Sequence, residues 1–308
     1  MKDHDPNIVV LGSLNMDLIG ESSRFPDAGE TIFGTNFYTA PGGKGANQAA
    51  GVASLKGNSK IIGRVGNDSF GSELMKALSK IGVDVAGVMI DERTSTGVAL
   101  IILDSVGENR IVVFSGANMS CDEVQISTVM DSISNADALM LQLEIPLGIS
   151  LSAAEHARKL NVPVIWDPAP ARDLPGEVFR SCDFITPNQS EAQSLTGVAV
   201  ISIETASEAA DILLEKGVRH VVIKMGGEGA FVASASQRFH VPAFEVEVVD
   251  TVAAGDAFNA GFALSIARGM TLQDSVKFAC AAGAVAVTKN GAQNAMPTTD
   301  EVSEVLQG

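Results

Sequence analysis

An α/β fold, with a mainly parallel central sheet between layers of helices, is what the sequence predicts, and three observations predict it. Short β-branched or apolar runs recur along the chain: "NIVVLG", "SKIIGRVG", "DALMLQLE", "VPVIWDP", "DFITPN" and "HVVIKMG". Segments of helical period, such as residues 46–55 and 69–81, alternate with them, which is the rhythm of βαβ units on a parallel sheet. Finally, 46% of the 308 residues are hydrophobic, enough to bury one large α/β core or two smaller ones.

Taken in order, "NIVVLG" reads as a buried first strand that ends in "GSLNMD". Residues 13–40 then break the rhythm, because "GETIFGTNFYTA" reads as strand with no crossover helix, and residues 94–116 break it again with "TGVALIILDSVGENRIVVF". These two stretches predict a small extra sheet on an edge of the main one. "VIKMGGEGAFV" predicts two strands joined by glycines, suited to a plain hairpin or to backbone contact with a nucleotide phosphate. The longest helices are expected at 257–268 and 272–288. No low-complexity linker, charge block or internal repeat divides the chain, so residues 1–308 read as one domain with a β excursion.

Composition excludes several classes of function. With 21 Lys and Arg against 37 Asp and Glu, the net charge of −16 argues against a nucleic-acid or anionic-membrane partner, and an anionic substrate would need a local positive site. Cys121, Cys182 and Cys280 are odd in number and far apart, which predicts neither disulfides nor a zinc site and suits a reducing, cytoplasmic setting. The beginning, "MKDHDPNIVVLGS", is acidic and unlike a targeting peptide. The longest apolar run, "FACAAGAVAV", is ten residues, about half of a membrane span.

Several motifs could carry chemistry. In "APGGKGANQAAG", residues 40–51, glycines precede a helix start, where free N–H groups can approach an anion, and Lys44 and Asn47 add a cation and an amide. This is not a Walker A loop, since Gly45 follows Lys44, and no GxGxxG follows the first strand, which disfavours hydride transfer. Asn15 and Asp17 alternate around Met16 and so point to one side of an extended chain, as suits adjacent hydroxyls or a merely polar strand face. Glu144 ends an almost wholly apolar strand. Asn188 and Glu191 stand three apart at a helix start, a spacing that fits a capping box or the water shell of Mg²⁺. In "DTVAAGDAFNAG", residues 250–261, Asp256 is either a helix cap or a base beside an anion site.

"GGKGANQA", "TPNQSE" and "DTVAAGDAFNAG", in this order and at these separations, resemble the ribokinase family of carbohydrate kinases, and the likeness runs from "VVLGSLNMD" to "VTKNGAQNAMP". "GSLNMD", "STGVALI", "QLE" and "DPAPAR" are similar to the habits of its ribose-phosphorylating members. The resemblance implies a Rossmann-like three-layer fold with a β-sheet lid made from about 13–40 and 94–116, often pairing with a second subunit to give a homodimer. It implies ATP-dependent phosphorylation of D-ribose at the 5-hydroxyl, giving ribose 5-phosphate and ADP. Asp256 would be the base, and the backbone of Ala253, Ala254 and Gly255 the anion hole. Asn15, Asp17, Gly43, Lys44, Asn47 and Glu144 would bind sugar, with Asp256 also touching the reactive hydroxyl. Asn188, Lys224, Gly226, Gly229, Gly255 and Cys280 would face the nucleotide, and Glu191 would act on Mg²⁺ through water. K⁺ would lie near Asp250, Val252, Ala286, Lys289, Gly291 and Ala295. Three positions depart from the commonest pattern: Ala253 replaces Gly, Lys224 replaces Thr, and Ala295 replaces a Ser whose oxygen helps to hold the cation. The rival readings are a kinase of another small sugar or nucleoside, such as deoxyribose or fructose, a non-catalytic sugar-binding relative and, more distantly, a nicotinamide dehydrogenase.

Overall fold

The structure is a computed structural model and describes residues 5–106 and 108–308. β1 (Asn7–Leu11) enters the core at once. The chain then leaves it through β2 (Asn15–Glu21) and β3 (Asn36–Gly42), and α1 (Lys44–Ser54) returns it to β4 (Asn58–Gly66), parallel to β1. α2 (Ser69–Ile81) leads to β5 (Asp84–Asp91), after which β6 (Gly97–Leu103) and β7 (Asn109–Phe114) make the second excursion. Regular βα alternation follows: α3 (Glu123–Ile133), β8 (Ala138–Leu141), α4 (Leu147–Lys159), β9 (Val164–Trp166), α5 (Gly176–Ser181) and β10 (Phe184–Ile185). α6 (Gln189–Thr196) and α7 (Ile203–Glu215) lead to β11 (His220–Lys224), which turns back antiparallel into β12 (Ala230–Ser234) and β13 (Arg238–Val241). The chain closes with α8 (Ala254–Ala267), α9 (Leu272–Val287) and α10 (Thr299–Gln307).

The main sheet has the order β13-β12-β11-β10-β9-β8-β1-β4-β5, parallel from β11 to β5. Side chains alternate across it, so Ile8 and Val10 of β1 join one core while Val9 and Leu11 join the other. The first core packs under α1, α2, α8 and α9, and the second under α3 to α7, which produces three layers. Ligands of such sheets gather at the carboxyl ends of the strands, where β1, β8, β9 and β10 lead into Ser13, Glu144, Asp167 and Asn188.

The two excursions meet in a separate four-stranded sheet, β3-β2-β6-β7, in which only the β2–β6 pair is parallel. Its β7 edge strand is exposed at all six positions, Ile111 to Phe114 included. Residues 30–34 of the "GETIFG" stretch do not join it, and β3 starts only at Asn36. α8 also departs from expectation. It begins at Ala254 rather than 257, because Ala253 takes the left-handed conformation (φ 57°) and turns the chain into the helix early.

Close contact of α1 with α8 depends on one glycine. A Cβ at Gly51 would lie 2.7 Å from the Cβ of Ala260, a distance that ordinary side chains do not reach, and a tight 3.0 Å from Sδ of Met296. The two helices therefore touch backbone to methyl. Asn47 and Asp256 lie one turn upstream of this contact.

Candidate active site

The N-termini of α1 and α8 converge. At the first, Gly43 caps α1 with φ 89°, and a Cβ there would stand 2.6 Å from the backbone nitrogen of Asn15, so the turn needs glycine on both counts. At the second, Asp256 is not the cap. It lies two residues inside the first turn of α8, after the Ala253 cap, with its side chain directed to α1 rather than to its own backbone. Helix geometry leaves the N–H groups of that turn without intrahelical acceptors, and among the described residues Ala254 N–H reaches only the Thr251 carbonyl, at 3.4 Å.

Asp256 is 5% exposed, and both its oxygens are held. Oδ2 accepts from Nδ2 of Asn47 at 3.0 Å, and Oδ1 from Nε2 of Gln48 at 3.1 Å. Burial pushes its pKa up to about 6 against the pull of Lys44, with Asp167 adding to the rise and the two amides opposing it. Burial alone would lower the pKa of Lys44, but Asp256, Asp167, Glu144 and Glu191 surround it and raise it overall. A permanent cation thus sits among four carboxylates. Asp17, on β2, is pushed up to about 7 by burial and then by Glu144 and Asp256.

The other predicted sugar-side residues share this end of the sheet. Asn15 is 3% exposed, and its Oδ1 accepts from Asn118 at 2.7 Å. Glu144 accepts a short hydrogen bond from the Ser13 hydroxyl, and another from the backbone N–H of Lys44 at 3.2 Å. Asn47 keeps one polar atom in reserve, since its buried Oδ1 has no hydrogen-bond partner among the described residues.

A cleft of about 1130 Å³ opens beside Asp256. Lys44, Asn188, Glu191, Lys224, Gly226, Gly229, Gly255 and Cys280 all face it, together with Ala253 and Ala254. Asn188 and Glu191 form the capping box of α6. Oδ1 of Asn188 takes the Glu191 N–H and Oε2 of Glu191 takes the Asn188 N–H, both at 2.8 Å. Burial raises the Glu191 pKa, countered by Lys224. Lys224 itself donates to Asp167 at 2.9 Å, and its Nζ would stand 3.4 Å from a Cβ on Gly255, so this cation lies next to the α8 N-terminus. Burial raises the Cys280 thiol to about 12, as befits a small apolar wall residue.

The positions read as cation neighbours are partly joined. Asp250 accepts from the N–H of Val252 (3.0 Å) and from that of Gly291 (2.9 Å), which ties the two loops together. Ala286 and Lys289 are linked through the backbone at 3.2 Å, while the Lys289 ammonium pairs with Glu301 at 2.6 Å. Ala295 is buried and brings no side-chain oxygen.

Sequence reasoning passed over Gln48, Asp167 and Gln142. Nε2 of Gln48 also donates to Asp167 (3.0 Å), and Nε2 of Gln142 donates to Oε1 of Gln48 (2.6 Å). All three lie inside "GGKGANQA", "DPAPAR" and "QLE", so the signal was the motif rather than the residue. Among the described residues no group of three or more His, Cys, Asp or Glu side chains forms a metal cage, and no helix is long and apolar enough to cross a membrane.

The chain is 42% identical to the ribokinase of Schizosaccharomyces pombe over 306 residues, covering 96% of each chain. It is 38% identical to the ribokinase of Haemophilus influenzae over 301 residues, 97% of this chain and 98% of that one. The solved structure of Arabidopsis thaliana ribokinase complexed with ribose and ATP superposes with a TM-score of 0.94 at 34% identity, covering 99% of this chain and 100% of that one. The model of the pfkB family carbohydrate kinases matches residues 5–299. The chain therefore belongs to the pfkB family of carbohydrate kinases.

Proposed function

We propose that the chain phosphorylates D-ribose at its 5-hydroxyl with ATP, giving ribose 5-phosphate and ADP. The observation that carries this reading is Asp256: a buried carboxylate fixed through both oxygens by α1, in the first turn of α8, on the wall of a cleft. Each oxygen accepts one amide hydrogen and keeps a lone pair for the substrate. Asp256 takes the hydroxyl proton, the sugar oxygen bonds to the γ-phosphorus, and the bond from that phosphorus to the β–γ bridging oxygen breaks as ADP leaves. A loose phosphoryl-transfer transition state asks mainly for alignment and for donors on the developing charge. The backbone of Ala253, Ala254 and Gly255 supplies those donors, aided by the helix dipole.

Asn15, Asp17, Gly43, Lys44, Asn47 and Glu144 hold the sugar, and the unpartnered Oδ1 of Asn47 supports this by offering an acceptor to a hydroxyl. Asn188, Lys224, Gly226, Gly229, Gly255 and Cys280 line the nucleotide side. Glu191 suits Mg²⁺ bound through water: one of its oxygens caps α6, and the other takes no hydrogen bond among the described residues. Mg²⁺ neutralises charge on the ATP phosphates when bound. The loops tied by Asp250 suit a K⁺ held by Val252, Ala286, Lys289, Gly291 and Ala295 through backbone carbonyls. The sheet β3-β2-β6-β7 serves as a lid from about 13–40 and 94–116 within a single domain, excluding water as a rival acceptor. Its exposed apolar strand β7 supports a homodimer formed through the lids. Three free, buried cysteines fit a cytoplasmic setting.

A coupled ADP-release assay across ribose, deoxyribose and fructose, with and without K⁺, tests the reading. Ribose is expected to give the highest kcat/KM. Equal or better turnover of either other sugar would overturn the choice of ribose, and turnover of none would overturn the assignment to these sugars altogether.

A further inference from the structure

Gln48 touches neither the sugar nor the nucleotide in the reading above, yet every polar atom of its side chain is committed. It is fully buried on α1, and its Nε2 reaches Asp256 Oδ1 at 3.1 Å and Asp167 Oδ2 at 3.0 Å. An amide nitrogen carries two hydrogens, so one goes to each carboxylate. Oε1 accepts from Gln142 Nε2 at 2.6 Å. That bond and the two carboxylates together decide which way the Gln48 amide faces, since turned over it would set Oε1 against two carboxylates and Nε2 against a donor. Gln142 is itself seated over Gly12, where any Cβ would strike its Oε1. A continuous chain of contacts therefore runs from Gly12 through Gln142 and Gln48 to Asp256 on one side. On the other it runs to Asp167 and Lys224 on the nucleotide wall.

We infer that Gln48, oriented by Gln142, is a positioning residue for phosphoryl transfer: its amide holds Asp256 as an ionised acceptor and fixes it to the Asp167–Lys224 pair, keeping the base in register with the phosphate site. The inference rests on the reading of Asp256 as the base. A neutral amide suits this place for a physical reason. A cation between the carboxylates would make Asp256 too weak a base, an apolar residue would leave two buried negative charges facing each other, and a hydroxyl could donate to only one of them. The charged groups facing Asp256 are Lys44 from α1, Asp17 from β2 and Asp167 after β9. Removing the amide takes away one of the hydrogen bonds that oppose the effect of burial, so protonation of Asp256 moves to higher pH.

The test is Gln48→Met, close in length and without a donor, alongside Gln142→Met, which leaves Gln48 in place without its orienting bond. Each is assayed as the full chain with ribose and ATP, and its folding is checked by thermal unfolding. Loss of a hydrogen bond to a charged group predicts a kcat about 10- to 100-fold lower for Gln48→Met. KM for both substrates should stay within about threefold of wild type, and the acid limb of the pH–kcat profile should move up. Gln142→Met should shift both quantities in the same direction by less, and it decides the matter alone if Gln48→Met does not fold. A folded variant with unchanged kcat and acid limb, or one that changes KM alone, overturns the role of Gln48 while an active wild type leaves the base in place. A wild type without sugar-kinase turnover removes the reading of Asp256, and this inference with it.

Discussion

Asn47 Nδ2 lies 3.0 Å from Asp256 Oδ2, a hydrogen bond that joins the first turns of two helices 209 residues apart in sequence. It makes the geometry of the acceptor a property of the α1–α8 contact rather than of either helix. Asp256→Asn keeps the size of the side chain but removes the base. Turnover should fall by about 10²- to 10⁴-fold, with ribose still bound. Steady-state kinetics beside calorimetric titration of ribose checks this, and near-normal kcat would sink the assignment.

The pKa of Asp256, raised to about 6, predicts an acid limb. Only the ionised carboxylate can take the hydroxyl proton, so kcat/KM should decline as pH falls through that value. A profile measured down to about pH 5 that stays flat would show that Asp256 does not act as the base in the free enzyme.

Asp17 predicts an opposition between stability and binding. Its folded pKa of about 7 stands above the usual 3.8, so the folded state binds the proton more tightly than the unfolded chain. Its contribution is fully present below the unfolded value and is lost as pH rises through about 7. Asp17→Asn should therefore stabilise the fold at about pH 8, on the order of 2 kcal/mol, while weakening ribose binding. Thermal unfolding and ribose KM measured on the same variant would reveal the trade, and destabilisation at that pH would contradict it.

Gly43→Ala is expected to damage both the fold and the proposed sugar site. The φ of 89° and the approach of a Cβ to Asn15 N each oppose a side chain. The backbone conformation alone costs about 1–3 kcal/mol. Chemical denaturation should show at least that loss, with a raised ribose KM.

Ala295→Ser should strengthen the proposed activation by K⁺, because it adds a side-chain oxygen to the buried turn near Gly291. Activity titrated with KCl reads this as a lower half-saturating concentration. An unchanged K⁺ dependence would place the cation elsewhere.

Much of this was legible because local rules and tertiary structure agreed. The bounds of α2 follow from Asp68 as cap and Gly82 as left-handed stop, and 69–81 reads as helix before any fold is known. Ala253 gave no such warning. Alanine is rarely left-handed, so the early start of α8 and the position of Asp256 inside its first turn were hidden. Residues 30–34 misled in the opposite direction, as strand-like composition without a partner strand. At Asn188 and Glu191 the reading was divided between a cap and a metal site; the cap is present in full, and it is what fixes the carboxylate on the cleft wall. Gln48 and Asp167 stayed silent because neither is unusual alone. Their meaning comes from a contact across 119 residues that only the order of strands in the sheet creates.

Gly51 and Ala260 stand four residues after Asn47 and Asp256 on their helices, and their contact works as a spacer of fixed thickness. One methyl group added there would part α1 from α8 like a shim under a clamp, and the opening would be felt a turn away, at the jaws that grip the carboxylate. The geometry of the proposed base is thus calibrated by the smallest residues in the neighbourhood, Gly51 and Ala260, whose side chains carry no polar atom. A chemist counting functional groups would pass over them, although they set the tolerance to which the functional groups are held.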